Sequence, residues 1–114
     1  MRSVILTLSL LVTFVFMAFG SGFAAKPDPE TRFKEQCPLA GGEGNDGCSD
    51  ILAICNAYGA VIGIKQASRE ACVKSCKDIA HSQHKQYEDV SPCPAGIEQA
   101  SALCTEYCRA TYSQ

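Results

Sequence analysis

Apolar residues recur at helical spacing in three stretches of the chain from Ser49 onward. The first stretch starts after Ser49 or Asp50, either of which can cap a helix, and runs toward Gly63, which is a natural stop. Its apolar face consists of Ile51, Ile54, Cys55, Tyr58 and Ile62. Gly59 weakens a helix here by about 1 kcal/mol relative to alanine. We therefore predict one helix that extends to about Ile62.

Two further stretches predict longer helices. The second helix is expected to open near Ser68, with Glu70 in its first turn, and to end between Tyr87 and Val90. Its inner face carries Cys72, Cys76 and Ile79, with Ala80 and Gln83 at the margin. The third helix begins at Cys93-Pro94, because proline is tolerated at the first helical position. Its inner face carries Ile97, Ala100, Cys104, Cys108 and Thr111.

The part of the chain before Ser49 predicts little regular structure. Asp28 can cap, and Pro29 can open, a short helix through Gln36. Four glycines in the seven residues from Gly41 to Gly47 predict a flexible loop. No segment shows strand alternation. The expected fold class is a small all-α domain of three helices, preceded by a short N-terminal turn.

The N-terminus has the three parts of a cleavable secretory signal. Arg2 supplies the basic start, an apolar run extends from Val4 to Phe19, and small residues follow it. Cleavage after Gly20, Gly22, Ala24 or Ala25 is compatible with these residues. An uncleaved anchor is the alternative, but a span needs about 20 apolar residues and this run is shorter. The expected organisation is a signal peptide over residues 1–25 and a secreted domain over residues 26–114.

The charge and the size of the expected mature domain narrow the possible partners. Without Arg2 it has 9 basic and 12 acidic side chains, a net charge of −3. Nucleic-acid binding calls for a basic excess, so nucleic acid is not an expected partner. A domain of this size without tryptophan has a thin core, and such domains often need covalent stabilisation.

All eight cysteines lie in the expected mature domain. An even number in a short secreted chain indicates a disulfide framework, for which 105 pairings exist. Two Cys-x3-Cys units, Cys72/Cys76 and Cys104/Cys108, place their sulfurs on one face of successive helical turns. The pairs Cys72–Cys108 and Cys76–Cys104 are both symmetric about residue 90, inside the expected loop. We therefore predict these two bridges between antiparallel helices.

This arrangement resembles the disulfide-linked α-hairpins of plant α-hairpinins and of some helical scorpion potassium-channel toxins. The resemblance covers residues 72–108 and implies a scaffold shared by protease inhibitors, antimicrobial proteins and channel blockers. It departs from those families in the 27 residues between the two units and in the additional first helix. The twin motifs of the small mitochondrial translocase chaperones are also similar, but those proteins do not use a cleaved secretory signal.

The remaining four cysteines are assigned by helix packing. If the first helix is antiparallel to the second, Cys48 lies near Ala80 and the end that carries Cys93. The preferred bridges are then Cys48–Cys93 and Cys37–Cys55. The functional alternative for the cysteines is soft-metal binding as thiolates. An exported chain favours disulfides instead.

The polar side of the second helix carries a basic stripe with two histidines. These candidate binding residues are Lys74, Lys77, His81, His84 and Lys85. A solvated helix face is the simpler explanation. The functional alternative is a recognition surface for an acidic receptor loop, channel vestibule or anionic headgroup, and its charge rises below about pH 6.5 as histidines protonate. His81 and His84 with Glu88 also match a metal-ligand pattern of two histidines and a carboxylate.

The sequence lacks the usual signatures of catalysis. It has no Gly-x-Ser-x-Gly elbow and no His-Glu-x-x-His motif. The glycine-rich loop has no lysine and carries Glu43 and Asp46, which would repel phosphate. Secreted phospholipases A2 are also small, helical and disulfide-rich, but neither histidine here is followed by aspartate as theirs is. We expect no enzymatic activity and no cofactor.

These observations predict a secreted, disulfide-rich helical mini-protein that modulates a target as a toxin, effector or ligand does. The expected partner is a protein receptor or channel, or a membrane surface, and the expected state is a monomer without a metal. The expected location is extracellular, or periplasmic in a bacterium. Two alternatives are an extracytoplasmic copper- or zinc-binding protein and a small protease inhibitor with Lys65 or Arg69 as the bait residue.

Overall fold

The computed structural model describes residues 26–42 and 47–112. The expected signal peptide and the loop residues Glu43 to Asp46 lie outside this part of the chain. The described residues form four α-helices and no strands: α1 (Pro29–Gln36), α2 (Ile51–Ala57), α3 (Arg69–Gln86) and α4 (Cys93–Thr111). Two 3-10 turns, Cys37–Gly41 and Tyr58–Ala60, follow α1 and α2. The expected all-helical class is confirmed.

The N-terminal element is the short helix from Pro29 to Gln36 that the capping residues predict, and it counts as a fourth helix rather than as the turn of the expected three-helix fold. The carboxylate of Asp28 accepts hydrogen bonds from the backbone N–H of Thr31 at 3.0 Å and from its hydroxyl at 2.6 Å. These bonds lower the pKa of Asp28, with the hydroxyl bond as the largest cause. Pro29 occupies the first turn, where its missing N–H is no disadvantage.

The first helix of the hydrophobic pattern is shorter than expected. The sequence predicts a helix to about Ile62, but α2 ends at Ala57 and the chain tightens into a 3-10 turn. The backbone N–H of Tyr58 donates to the carbonyls of Cys55 and Asn56 instead of reaching back to Ile54. Tyr58 and Ile62 are nevertheless buried, so the apolar pattern identifies the core correctly where it misplaces the helix end.

Helix α4 is the centre of the fold. It contacts α1, the first 3-10 turn, α2 and α3. Gly96 allows a close approach to α4, since a Cβ there would lie 3.2 Å from Cδ1 of Ile51 and 3.4 Å from the carbonyl oxygen of Ala40. Of the core residues, Ile97, Ala100, Cys104 and Cys108 are completely buried and come from α4.

Four disulfides connect these elements. Their pairs are Cys37–Cys55, Cys48–Cys93, Cys72–Cys108 and Cys76–Cys104. These are the pairs expected from helix register and packing, and the described residues include no free cysteine. The two bridges between α3 and α4 have nearly equal Cα–Cα distances of 5.7 and 5.8 Å, as expected for antiparallel helices at constant separation. Among the described helices, none is long and apolar enough to cross a membrane.

Candidate functional site

The basic stripe lies on the side of α3 that faces away from the disulfides. Cys72, Cys76 and Ala80 point into the core, whereas Lys77, His81 and Lys85 are exposed on three successive turns. This division follows from helix geometry, because residues four apart project from one face. The N-terminus of α3 is fixed by Ser68, whose hydroxyl accepts a hydrogen bond from the N–H of Ala71 at 3.1 Å.

Lys74 is one of two members of the stripe that lie against a carboxylate. Its Nζ lies 2.6 Å from the Asp78 carboxylate, one helical turn away. Both side chains are exposed, so this pair contributes little to stability. Asp78 neutralises the charge of Lys74 at this end of the stripe. Lys77, His81 and Lys85 have no ion-pair partner in the described part of the chain.

His84 connects α3 to α4. Its Nε2 lies 2.7 Å from the Glu98 carboxylate, and its side chain is only 33% exposed. His84 also lines a shallow depression of about 410 Å³ with His81, Lys85, Glu88 and Pro94. The contact with Glu98 links two helices across a separation of 14 residues, which no local sequence pattern indicates.

Among the described residues, the potential metal ligands that lie closest together are in the core and not on the exposed face of α3. Among the described residues, the one group of three ligating atoms within 4.8 Å of one another is that of Cys72, Cys76 and Cys108. Their sulfurs belong to two disulfides, with Sγ of Cys76 only 3.5 Å from Sγ of Cys108. A disulfide sulfur is not a thiolate, and the thiolate is the form that binds metal. His81, His84 and Glu88 do not form such a group.

Two larger grooves lie between other pairs of helix faces. The larger, of about 520 Å³, lies between α1 and α4, and the ion pair of Arg32 and Glu106 at 3.4 Å sits among its lining residues. The second, of about 460 Å³, lies between α2 and α3 and is lined in part by Gln83. Gln83 is 5% exposed, and its side-chain N–H donates to the carbonyl of Ile54 at 2.9 Å. This bond satisfies a carbonyl that the early end of α2 leaves without a helical partner.

Tyr107 of α4 and Tyr112, which directly follows that helix, contact the connection between α2 and α3. The N–H of Gly63 donates to the Tyr107 hydroxyl at 2.9 Å, and the N–H of Gln66 donates to the Tyr112 hydroxyl at 2.7 Å. Gly63 has a φ of +79°, a conformation that side-chain-bearing residues rarely adopt. Lys65 and Ile64 are exposed on this connection. No sequence pattern indicates these tyrosine contacts, since they join residues 44 and 46 positions apart.

One tyrosine of the core is held without a partner. Tyr58 is completely buried, and its hydroxyl has no hydrogen-bond partner among the described residues. Burial raises the pKa of Tyr58 to about 12. The nearby Ser101 hydroxyl opposes this shift although it lies outside hydrogen-bonding geometry, and the charge of Glu98 adds to the shift. Burial also raises the pKa of Tyr87, and the nearby carboxylate of Asp50 adds to that shift.

Comparison with models of known protein families, with curated proteins and with solved structures finds no match to this chain.

Proposed function

We propose that the protein is an exported binding protein whose disulfide-fixed scaffold presents the basic stripe of α3 to an acidic site on another protein. The observation that carries the proposal is the row of Lys77, His81 and Lys85, exposed at intervals of four residues and unpaired within the described residues. Such a row places two lysines, with a histidine between them, on successive turns along one side of a rigid helix. It is local, because the expected mature domain is acidic as a whole.

The scaffold supports a binding role. Helix α3 is bridged twice to α4, and α4 is bridged again through Cys93. A surface that is already ordered loses little conformational entropy when a partner binds. Charge complementarity then raises the association rate and favours an acidic partner over a basic one.

Export is the second part of the proposal. Four disulfides are typical of proteins that fold in oxidising compartments. Together with the signal-like residues 1–25 they support secretion, or the periplasm if the source is bacterial. The intact mass of the secreted protein tests this part: we expect a chain shortened near Ala25 and lighter by eight hydrogens than its reduced form. Retention of residues 1–25 or free thiols would contradict it.

The binding proposal is tested with a double charge reversal, Lys77→Glu with Lys85→Glu. The probes are immobilised polyglutamate and vesicles that contain phosphatidylserine. The matched control is Lys26→Glu with Arg109→Glu, which changes the net charge equally at two exposed positions outside α3.

We expect the wild type and the control to bind polyglutamate, and the α3 variant to lose at least about tenfold in affinity, as for loss of complementary charge pairs. The interaction should also weaken as salt is added. Equal losses in both variants would show that net charge alone is responsible and would refute the proposal. Selective binding to vesicles would replace the acidic protein with a membrane surface.

A further inference from the structure

The connection between α2 and α3 presents one lysine on a backbone held from both sides. Lys65 is exposed and has no ion-pair partner among the described residues. The hydroxyl of Tyr112 accepts from the N–H of Gln66 at 2.7 Å and makes a longer contact, 3.5 Å, with the carbonyl of Ile64. A single side chain at the C-terminal end of α4 therefore contacts the peptide groups before and after Lys65.

The hydrogen-bonding groups of Lys65 itself are left available. No described residue bonds to its backbone N–H or carbonyl. In a trans peptide the N–H and the carbonyl point in opposite directions. Since Gln66 directs its N–H toward Tyr112, the carbonyl of Lys65 is directed away from α4. A partner that approaches from solvent meets the lysine side chain together with its free N–H and carbonyl.

From this geometry we infer that Lys65 is the primary recognition residue of an inhibitory loop directed at trypsin-like serine proteases. These enzymes take a long cationic side chain into a pocket with a carboxylate at its base, and they bind the adjacent carbonyl in an oxyanion hole. Both groups are presented by Lys65. Ile64, 53% exposed, supplies an apolar contact next to it. The inference is independent of the α3 stripe, which lies on other residues.

Arg69 does not offer the same geometry. Arg69 is the first residue of α3, so its backbone is helical, and its side chain is partly buried. A helical backbone cannot present its carbonyl to a protease cleft, because that carbonyl accepts a hydrogen bond within the helix. The structure therefore selects Lys65 over Arg69 as the bait residue.

The same contacts explain why the loop would inhibit rather than be consumed. In the protease the serine oxygen adds to the Lys65 carbonyl, the bond from that carbon to the nitrogen of Gln66 breaks, and the proton of the serine passes to the leaving amine. That amine is held by Tyr112, and Cys48–Cys93 joins the two parts of the chain across the cut. The amine can attack the ester, re-form the peptide bond and release the serine before water does so.

The first experiment measures inhibition of trypsin by the oxidised protein, with a small amide substrate and with chymotrypsin in parallel. We expect trypsin to be inhibited, Lys65→Ala to lose at least about 30-fold in affinity, as for a central interface residue, and Lys65→Arg to retain inhibition. Arg69→Ala and the Lys77→Glu/Lys85→Glu variant should inhibit like the wild type. Lys65→Leu should weaken trypsin binding and gain affinity for chymotrypsin. No inhibition of trypsin by the wild type, or equal inhibition by Lys65→Ala, would overturn the inference.

The second experiment tests the role of the Tyr112 contact. Tyr112→Phe keeps the ring and removes the hydroxyl, so we expect the loop to be hydrolysed faster at the bond between Lys65 and Gln66. Cleavage adds one water to the unreduced mass and yields two fragments only after reduction of Cys48–Cys93. Hydrolysis at the wild-type rate would show that the hydroxyl does not hold the loop, and rapid hydrolysis of the wild type itself would make the loop a substrate and refute inhibition.

Discussion

Two tyrosines of this protein differ in one respect that can be measured directly. Tyr107 and Tyr58 are both buried, but the hydroxyl of Tyr107 accepts a hydrogen bond from the N–H of Gly63, whereas that of Tyr58 has no partner in the described part of the chain. Replacing each by phenylalanine removes one oxygen and keeps the ring. The pair of variants therefore separates the effect of a paired hydroxyl from that of an unpaired one.

The expected magnitudes follow from these surroundings. A hydrogen bond contributes about 0.5–1.5 kcal/mol net, and a buried group left unpaired costs about 1–3 kcal/mol. Gly63 is exposed, so water can reach its N–H after the change. We expect Tyr107→Phe to lower the free energy of unfolding by about 1 kcal/mol, at the low end of the cost of leaving a buried group unpaired. Tyr58→Phe should leave that free energy unchanged or raise it by up to about 1 kcal/mol, because an unsatisfied buried oxygen is removed.

The assay is guanidinium unfolding of the oxidised protein, followed by far-UV circular dichroism, with thermal unfolding as a second measure. A change of 1 kcal/mol corresponds to about 4–8 °C in Tm for a domain of this size. Disulfide-intact small proteins usually unfold in one step, which makes the free energies comparable. If Tyr58→Phe loses as much stability as Tyr107→Phe, ring packing rather than hydrogen bonding is responsible, and the reasoning is refuted.

Three further predictions concern packing and pH. Gly96→Ala should destabilise the domain by about 1–3 kcal/mol because its Cβ would lie 3.2 Å from Ile51, whereas Gly59→Ala, with nothing within 4 Å, should stabilise it by about 0.4–1 kcal/mol; chemical unfolding of the two variants checks the contrast, and equal changes would contradict it. The pKa of Tyr58 is raised from its ordinary value of about 10 to about 12, so the stability linked to its protonated hydroxyl is complete below about pH 10 and is lost as the pH rises from about 10 to about 12. Across this pH range the unfolding midpoint should fall less in Tyr58→Phe than in the wild type, and parallel curves would count against a buried Tyr58. The pKa of Asp28 is lowered, so its contribution is present above its ordinary pKa and is lost as the pH falls through the lowered one; Asp28→Ala should flatten the acid branch of the stability curve, and an unchanged acid branch would exclude a role for this cap.

Much of the fold could be predicted from the sequence because its signals are local or periodic. The caps Asp28 and Ser68 mark the starts of α1 and α3. The symmetric spacing of two Cys-x3-Cys units leads to the correct bridges, since the position of the loop between two antiparallel helices sets which residues face one another. The predicted end of α2 was wrong, because an apolar repeat indicates which residues are buried and not which backbone hydrogen bonds they make.

The candidate sites were less accessible to sequence reasoning. The row of Lys77, His81 and Lys85 follows from spacing alone, but its exposure and lack of partners depend on tertiary structure. The sequence offered Lys65 and Arg69 as equivalent bait residues. The tertiary structure distinguishes them, because the Tyr112 hydroxyl contacts the peptide groups on both sides of Lys65, whereas Arg69 already belongs to α3. A hydroxyl that contacts a backbone 46 residues away has no signature in either segment.

The central place of α4 has a consequence for biosynthesis. It is the last of the four helices in chain order, and the other three pack on it. If the protein is exported vectorially, as we propose, α1 to α3 enter the oxidising compartment before the helix on which they pack. Only Cys37 and Cys55 can find their native partner at that stage, because each of the other three bridges takes one cysteine from α4. Until α4 follows, the upstream cysteines Cys48, Cys72 and Cys76 have no native partner and are open to non-native pairing.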